Sequence, residues 1–252
     1  MIDTHCHIFK EYYEDISFVI EKMKNNIIIV SGTNDIDNLE VIELCNKYPN
    51  VYGTLGIHPT EISKITDDSY KIIEDNLTNP KIVGIGEIGL DYYWEKENKE
   101  IQKDIFIKQI NLAKKYNKPI VVHTRDSIND TYEILKEHAQ GLKIDIHCFS
   151  SSIEMANNFI NIGCRLGIGG VLTFKNNTKL KEVVKNIDLR NIMLETDSPF
   201  LTPEPYRGQK NEPYNVLYVA KVIADIKDTS LEEVLEITTS NAIDQFDLPM
   251  QL

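Results

Sequence analysis

Eight times along the chain a short run rich in Ile and Val gives way to a longer polar stretch with apolar residues at helical spacing. Such runs read as strands buried on both faces of a parallel sheet, and the stretches between them as crossover helices. The predicted strands are Ile2–His5, Ile27–Ser31, Val51–Ile57, Ile82–Gly86, Ile120–His123, Ile144–His147, Arg165–Gly169 and Ile192–Thr196. The predicted helices are Tyr12–Asn25, Ile36–Lys47, Ser69–Asn76, Lys99–Tyr116, Ile128–His138, Ser152–Asn161 and Leu180–Val184, with Leu217–Asp225 and Leu231–Thr239 after the last strand. No long linker interrupts them. This order predicts the α/β class, a (β/α)8 TIM barrel, as one domain over residues 1–252. A doubly wound open sheet is the alternative. It normally carries a Gly-rich phosphate loop after its first strand, where this chain has His5-Cys6-His7.

Lys99–Tyr116 is the clearest helix. Ile101, Ile105, Ile110 and Leu112 read as its apolar stripe, and Pro119 lies just past its end. No apolar run approaches the length of a membrane span. The N-terminus has neither the basic region nor the apolar core of a signal peptide. The expected location is therefore cytoplasmic. There Cys6, Cys45, Cys148 and Cys164, which show no C-x-x-C spacing, are expected to be reduced. The formal net charge of -12 argues against a protein that holds nucleic acid by bulk electrostatics. It leaves room for an enzyme that meets phosphates through bound cations.

In a barrel the C-terminal ends of the strands converge on one face, where active sites sit. Those ends carry the chemistry here. The first gives His5 and His7, whose side chains point the same way along an extended segment. The third gives His58, the fourth Glu87 and Asp91, the fifth His123 and Arg125, the sixth His147, and the eighth Asp197. Of six histidines only His138 falls elsewhere, near a helix C-terminus, where a solvated imidazole is at home. Each residue alone has an ordinary reading, as a turn, a cap or a satisfied polar group. Their recurrence at one position of successive units points to a metal site. His5, His7, Glu87, His123, His147 and Asp197 are too many ligands for one tetrahedral catalytic ion. They suffice for two ions sharing a carboxylate. Imidazole with carboxylate admits Zn, Mn, Fe, Ni or Mg. Cys6 and Cys148, next to ligands, are expected to face the opposite side of their strands and pack.

The same stretches carry a resemblance. Ile2-Asp-Thr-His-Cys-His7, Gly56-Ile-His-Pro59, Gly84-Ile-Gly-Glu-Ile-Gly-Leu-Asp-Tyr-Tyr-Trp94 and Pro119-Ile-Val-Val-His-Thr-Arg-Asp126 resemble the TatD family of metal-dependent deoxyribonucleases, within the amidohydrolase superfamily. Ile146-His-Cys-Phe-Ser150, Leu194-Glu-Thr-Asp-Ser-Pro-Phe-Leu201, Arg207-Gly-Gln-Lys-Asn-Glu-Pro213 and the helix from Gln102 to Ala113 extend the likeness over the whole chain. The resemblance implies a barrel with two divalent ions and phosphodiesterase activity on DNA, often exonucleolytic. By position it places His5, His7 and Asp197 on one ion, His123 and His147 on the second, and Glu87 between them. One departure is Ser151, where the family commonly has Gly.

Asp197 is expected to orient the attacking water and accept its proton, and Glu87 is the second residue counted as catalytic. His58 and Arg125 are expected to hold phosphate oxygens, and Asp91 to orient a ligand histidine. Arg207 is expected to contact the nucleic-acid backbone or to pair with Glu212. Tyr92, Tyr93 and Trp94 are expected to stack a base or to pack over the barrel rim. DNA is the expected partner, with no membrane and no obligate protein partner. The alternative substrate is an ester or amide, an aminoacyl-nucleic-acid ester among them. A third reading is a non-catalytic metal-binding protein, against which the intact ligand set speaks.

Overall fold

The strands form where the buried apolar runs predict them. A computed structural model describes residues 1–249; residues 250–252, the end of the expected domain, lie outside the described residues. Eight strands lie in one sheet in chain order. They are β1 (Ile2–Cys6), β2 (Ile27–Ser31), β3 (Val51–Leu55), β4 (Ile82–Asp91), β5 (Ile120–Arg125), β6 (Ile144–Ile146), β7 (Cys164–Ile168) and β8 (Ile192–Leu194). A parallel bridge between Cys6 and Ser198 brings the chain after β8 back beside β1. With a helix following each strand, this is the (β/α)8 barrel. Among the described residues no helix is long and apolar enough to cross a membrane.

The chain divides into two compact units. The first takes Met1–Val30 and the stretch from Cys148 onward. It holds β1, most of β2, β7 and β8, with helices α1 (Ile16–Glu21), α6 (Ile153–Asn161), α7 (Thr178–Asn186), α8 (Val216–Lys227) and α9 (Leu231–Phe246). The second takes Ser31–His147. It holds β3 to β6, with α2 (Asp35–Lys47), α3 (Asp67–Asn76), α4 (Lys99–Tyr116) and α5 (Ile128–His138).

Several boundaries differ from the expectation, each for a local reason. Helix α1 is much shorter than Tyr12–Asn25. Tyr12 and Tyr13 turn back onto the Phe9 carbonyl, and the Asp15 carboxylate caps a later start by accepting from Phe18 N. Helix α9 runs past Thr239, although Thr238 and Thr239 have low helix propensity. The Thr238 hydroxyl bonds the Val234 carbonyl within the helix, and the residues around it are buried. In α4 the boundaries match and the buried face matches in part, with Ile110 inside as expected. Ile101 is 55% exposed, and the buried residues are Gln102, Phe106, Gln109, Ile110 and Ala113.

Strand β4 continues through Asp91 instead of ending at Gly86, and β5 continues to Arg125. Their pairing runs Gly89 to His123, Leu90 to Thr124 and Asp91 to Arg125. Gly89 makes this possible. Its φ is 141°, and a Cβ there would stand 2.0 Å from the His123 carbonyl oxygen. Glu87 and His123 therefore sit within paired strands, not on the loops beyond them. Ser151 keeps a negative φ, so serine occupies that position without backbone strain.

Candidate metal centre

In the second unit the candidate ligand side chains gather around one carboxylate. Glu87 is buried, and its Oε1 lies 2.8 Å from His123 Nδ1, 3.5 Å from His58 Nε2 and 3.6 Å from His147 Nε2. His123 is held at its other nitrogen as well, with Nε2 3.0 Å from Asp91 Oδ2. Burial alone would lower the His123 pKa. Asp91 and Glu87, one on each ring nitrogen, outweigh it and raise the value. The Asp91 carboxyl is held below its usual range. Burial works against this, and the bond from His123 with the amides of Trp94 and Tyr93 prevails.

This geometry tests whether the residues fit a cation. The Asp91 contact fixes a proton on His123 Nε2 and leaves Nδ1 as the ligand atom beside Glu87. That is the carboxylate–histidine–metal order in which the outer carboxylate orients the ring. The expected role of Asp91 is what the geometry allows. His58 behaves differently. Its Nδ1 accepts from Thr60 N at 3.2 Å, and a backbone amide can only donate. The proton of the neutral ring is thereby assigned to Nε2, which points at Glu87. Burial, then the neighbouring His123, lowers the His58 pKa and keeps the ring neutral. His58 lies among the candidate ligands, within a group of three with Glu87 and His123. Its tautomer nevertheless makes it a donor.

In the first unit a second group forms at β1 and just past β8. His5 Nε2 and His7 Nε2 are 3.1 Å apart, and Asp197 Oδ1 lies 3.8 and 3.4 Å from them. For tetrahedral coordination at about 2.1 Å, ligand atoms are about 3.4 Å apart. The triangle has the size of one face of such a site. Asp197 has φ 54°, in the left-handed region that aspartate tolerates better than most side chains.

Backbone braces hold both groups. Asp3, fully buried, accepts from Thr196 N at 2.9 Å, from the Thr196 hydroxyl at 2.6 Å and from His5 N at 3.4 Å. It thus ties the strand of His5 to the turn of Asp197. In the second unit the braces are neutral amides on α4. Gln102 accepts from Asp91 N and donates to the carbonyls of Asp91 and Glu95. Gln109 accepts from Ile57 N and donates to the Ile57 carbonyl, fixing the residue before His58. Asn38 pairs in the same way with Gly56. Asp3 and these amides were not anticipated. The signal for Asp3 was a charge inside the buried run Ile2-Asp-Thr-His5. Glu195, also buried, accepts from Cys148 N at 2.8 Å and was passed over in favour of Asp197.

Outside these groups the expectations divide. Cys6 is buried with its thiol against the Ile29 carbonyl, a packing role as expected. Cys148 lies past the end of β6 at φ 49°, so the alternation of a strand does not govern its direction. His138 ends α5, half-exposed, as expected. Arg207 does not pair with Glu212. It stacks on Phe174, with its guanidinium carbon 4.1 Å from the ring centre, while Glu212 pairs with Lys22. Arg125 lies against two aromatic rings, 4.1 Å from the centre of Tyr93 and 5.6 Å from that of Trp94. Tyr92 turns inward and donates to Asp130.

Comparison with known proteins gives the family. The family model described as TatD related DNase matches residues 2–247. The uncharacterized metal-dependent hydrolase YabD of Bacillus subtilis is 42% identical over 247 residues, covering 96% of this chain and 97% of its own. The crystal structure of YjjV, a TatD homolog from Escherichia coli K12, superimposes with a TM-score of 0.92 at 29% identity, over 99% of this chain and 98% of its own. A TatD family hydrolase from Entamoeba histolytica gives 0.86 at 27% identity, over 98% and 97%. Buried imidazoles and carboxylates at the strand ends of a complete (β/α)8 barrel, with relatives alike from end to end, place this chain in the TatD family of metal-dependent hydrolases.

Proposed function

We propose that the chain hydrolyses phosphodiester bonds of DNA, as an exonuclease, with two divalent ions. His5, His7 and Asp197 would hold one, His123 and His147 the second, and Glu87 would bridge them. The observation that carries this reading is the set of imidazole nitrogens around Glu87 Oε1, with His123 backed by Asp91. A carboxylate presented to several imidazoles suits a bridge better than a ligand of one ion. When bound, the ions supply Lewis acidity and a water of lowered pKa.

The protein's own groups do the rest. Asp197 orients the attacking water and takes its proton. His58, neutral with its proton on Nε2, donates to a phosphate oxygen. Arg125 and Arg207, both exposed, meet neighbouring phosphates, each from a guanidinium already laid on an aromatic ring. The cysteines form no disulfide, which suits a reducing compartment, and we place the enzyme in the cytoplasm. DNA is the only partner this reading needs.

The test is digestion of end-labelled single- and double-stranded DNA after chelation and restoration of Zn, Mn, Mg, Ni or Fe in turn. Stepwise loss of mononucleotides with at least one metal is the expected outcome. Hydrolysis of carboxylic or aminoacyl esters with no cleavage of DNA under any metal would give the site to the ester reading instead.

A further inference from the structure

We infer that Trp94, Tyr93 and Arg125 form a stacking platform for an unpaired base of a single-stranded nucleic acid held at His123. It rests on the phosphodiesterase reading and names how the strand beside the reacting phosphate is gripped.

Three consecutive aromatic residues follow Asp91, and they part ways. Tyr92 is 9% exposed, with its hydroxyl on Asp130. Tyr93 and Trp94 are 45% and 65% exposed, their rings perpendicular with centres 4.8 Å apart. Exposed rings of this size are normal singly, but here they come with a cation. Arg125 enters from the neighbouring strand, where it is the register partner of Asp91, and lies against both rings. Flat rings and a guanidinium plane grip a base without reading it.

The turn is also rigid, and it is wired to the ligand group. Asp91 Oδ1 accepts from the amides of Tyr93 and Trp94, each at 2.9 Å, while Oδ2 holds His123 Nε2. Gln102 clamps the turn at both ends, through Asp91 and the Glu95 carbonyl. One carboxylate thus sets both the ligand ring and the aromatic turn. Trp94 lies three residues past Asp91, so the chain between them spans at most about 11 Å. Tryptophan, tyrosine and arginine are also the composition of a protein-binding hot spot. The shared anchor at Asp91 favours the base, because a protein patch has no need to be fixed to a candidate metal-ligand histidine. The charge of -12 points the same way: this chain cannot hold a strand by basic residues in bulk, and stacking needs none.

Trp94 is the only tryptophan, so its emission reports on the platform directly. The full-length, metal-loaded protein is titrated with a cleavage-resistant phosphorothioate octathymidylate and with an abasic phosphorothioate strand of equal length. Expected are a change in Trp94 emission with the first strand only, and about 5- to 100-fold weaker binding of the abasic strand. W94A should bind the octathymidylate about 5- to 100-fold more weakly, and W94F should recover most of the loss. Equal binding of both strands with unchanged Trp94 emission overturns the platform and leaves the patch to a protein partner. A salt dependence several units steep overturns it too, since it would assign the grip to phosphate contacts. Neither result touches the phosphodiesterase reading, which stands or falls on cleavage of ordinary DNA by the wild-type protein.

Discussion

The two ligand groups are held in different ways. In the first unit, His5 and Asp197 come from the first strand of the sheet and from just past the last, far apart in sequence, and a buried carboxyl group, Asp3, ties them through Thr196. In the second unit, Glu87, His123 and His147 come from successive βα units, and neutral amides of one helix, Gln102 and Gln109, hold the strand ends. Burial pushes the Asp3 carboxyl well above its usual range, and this one group carries the whole tie, whereas three amides, Gln102, Gln109 and Asn38, share the bracing of the second unit. A group assembled from β1 and the segment just past β8 also forms only when the last β-strand has docked. The first group is therefore the one that substitution or trimming near the N-terminus should disable first. The second should survive local damage.

The largest effect expected is that of Glu87→Ala. If Glu87 bridges, its loss should lower kcat/KM by on the order of a thousandfold or more. Elemental analysis should then show metal missing from both groups. Loss confined to the His123 and His147 ion would break the bridge assignment and make the two groups independent. Next comes Asp3→Ala. It strands the amide and hydroxyl of Thr196 in a buried place, at a cost of about 2–4 kcal/mol. For a chain of this size that lowers Tm by roughly 5–15 °C. Affinity for the metal at His5, His7 and Asp197 should fall about 10- to 100-fold, with the second ion retained. Asp3→Asn should lie between. A variant that melts early yet binds both metals normally would show Asp3 to be a brace of the fold alone.

Gln102→Leu makes the matching cut in the second unit. Three backbone groups lose their partners, at about 1–3 kcal/mol, and the His123 ion should weaken about tenfold. Gln109→Leu should cost similar stability but spare metal affinity if His58, the residue after the one it braces, acts as a donor as proposed. If Gln109→Leu loosens a metal as much as Gln102→Leu does, then His58 is a ligand after all and its tautomer changes on binding. The measurement is metal titration with melting curves for both variants.

What the sequence made legible follows from how local each signal is. Apolar runs and helical periods placed all eight strands and fixed α4 and α5 to the residue. The extension of β4 to Asp91 was not legible, because it depends on register with β5 and on the free backbone of Gly89. Counting apolar residues put Ile101 with Ile105, Ile110 and Leu112 on the inner face of α4 and gave no place to the glutamines. The structure keeps Ile110 inside, exposes Ile101 and buries Gln102 and Gln109, whose amides meet strand-end backbone groups that no count of apolar residues reveals. The candidate ligands could be named because histidine and carboxylate recur at the ends of five of the eight strands, β1, β4, β5, β6 and β8. The role of His58 could not, since it hangs on one backbone amide, that of Thr60. The pairing of Glu212 with Lys22 in place of Arg207 depends on where α1 lies, and no spacing reveals that.

The smallest effect lies on the surface and serves as the control for the buried carboxyl brace. Asp188 is exposed just before β8, pairs with Arg190 through both side chains and accepts from the Arg190 amide. The Arg190 side chain, then its amide, holds the Asp188 carboxyl down at about 2. A carboxyl with a depressed folded value contributes stability above its unfolded value, near about 4, and loses it as pH falls through about 2. The pair is solvent-screened, so its contribution is on the order of 1 kcal/mol or less. Asp188→Asn should therefore be slightly less stable than wild type above about pH 4, with the difference closing between about pH 4 and pH 2. Denaturant unfolding at stepped pH measures it. If Asp188→Asn instead cost as much as Asp3→Asn, the weak point at the docking of β8 would be this exposed pair, and the contrast between a single buried carboxyl brace and several amide clamps would lose its ground.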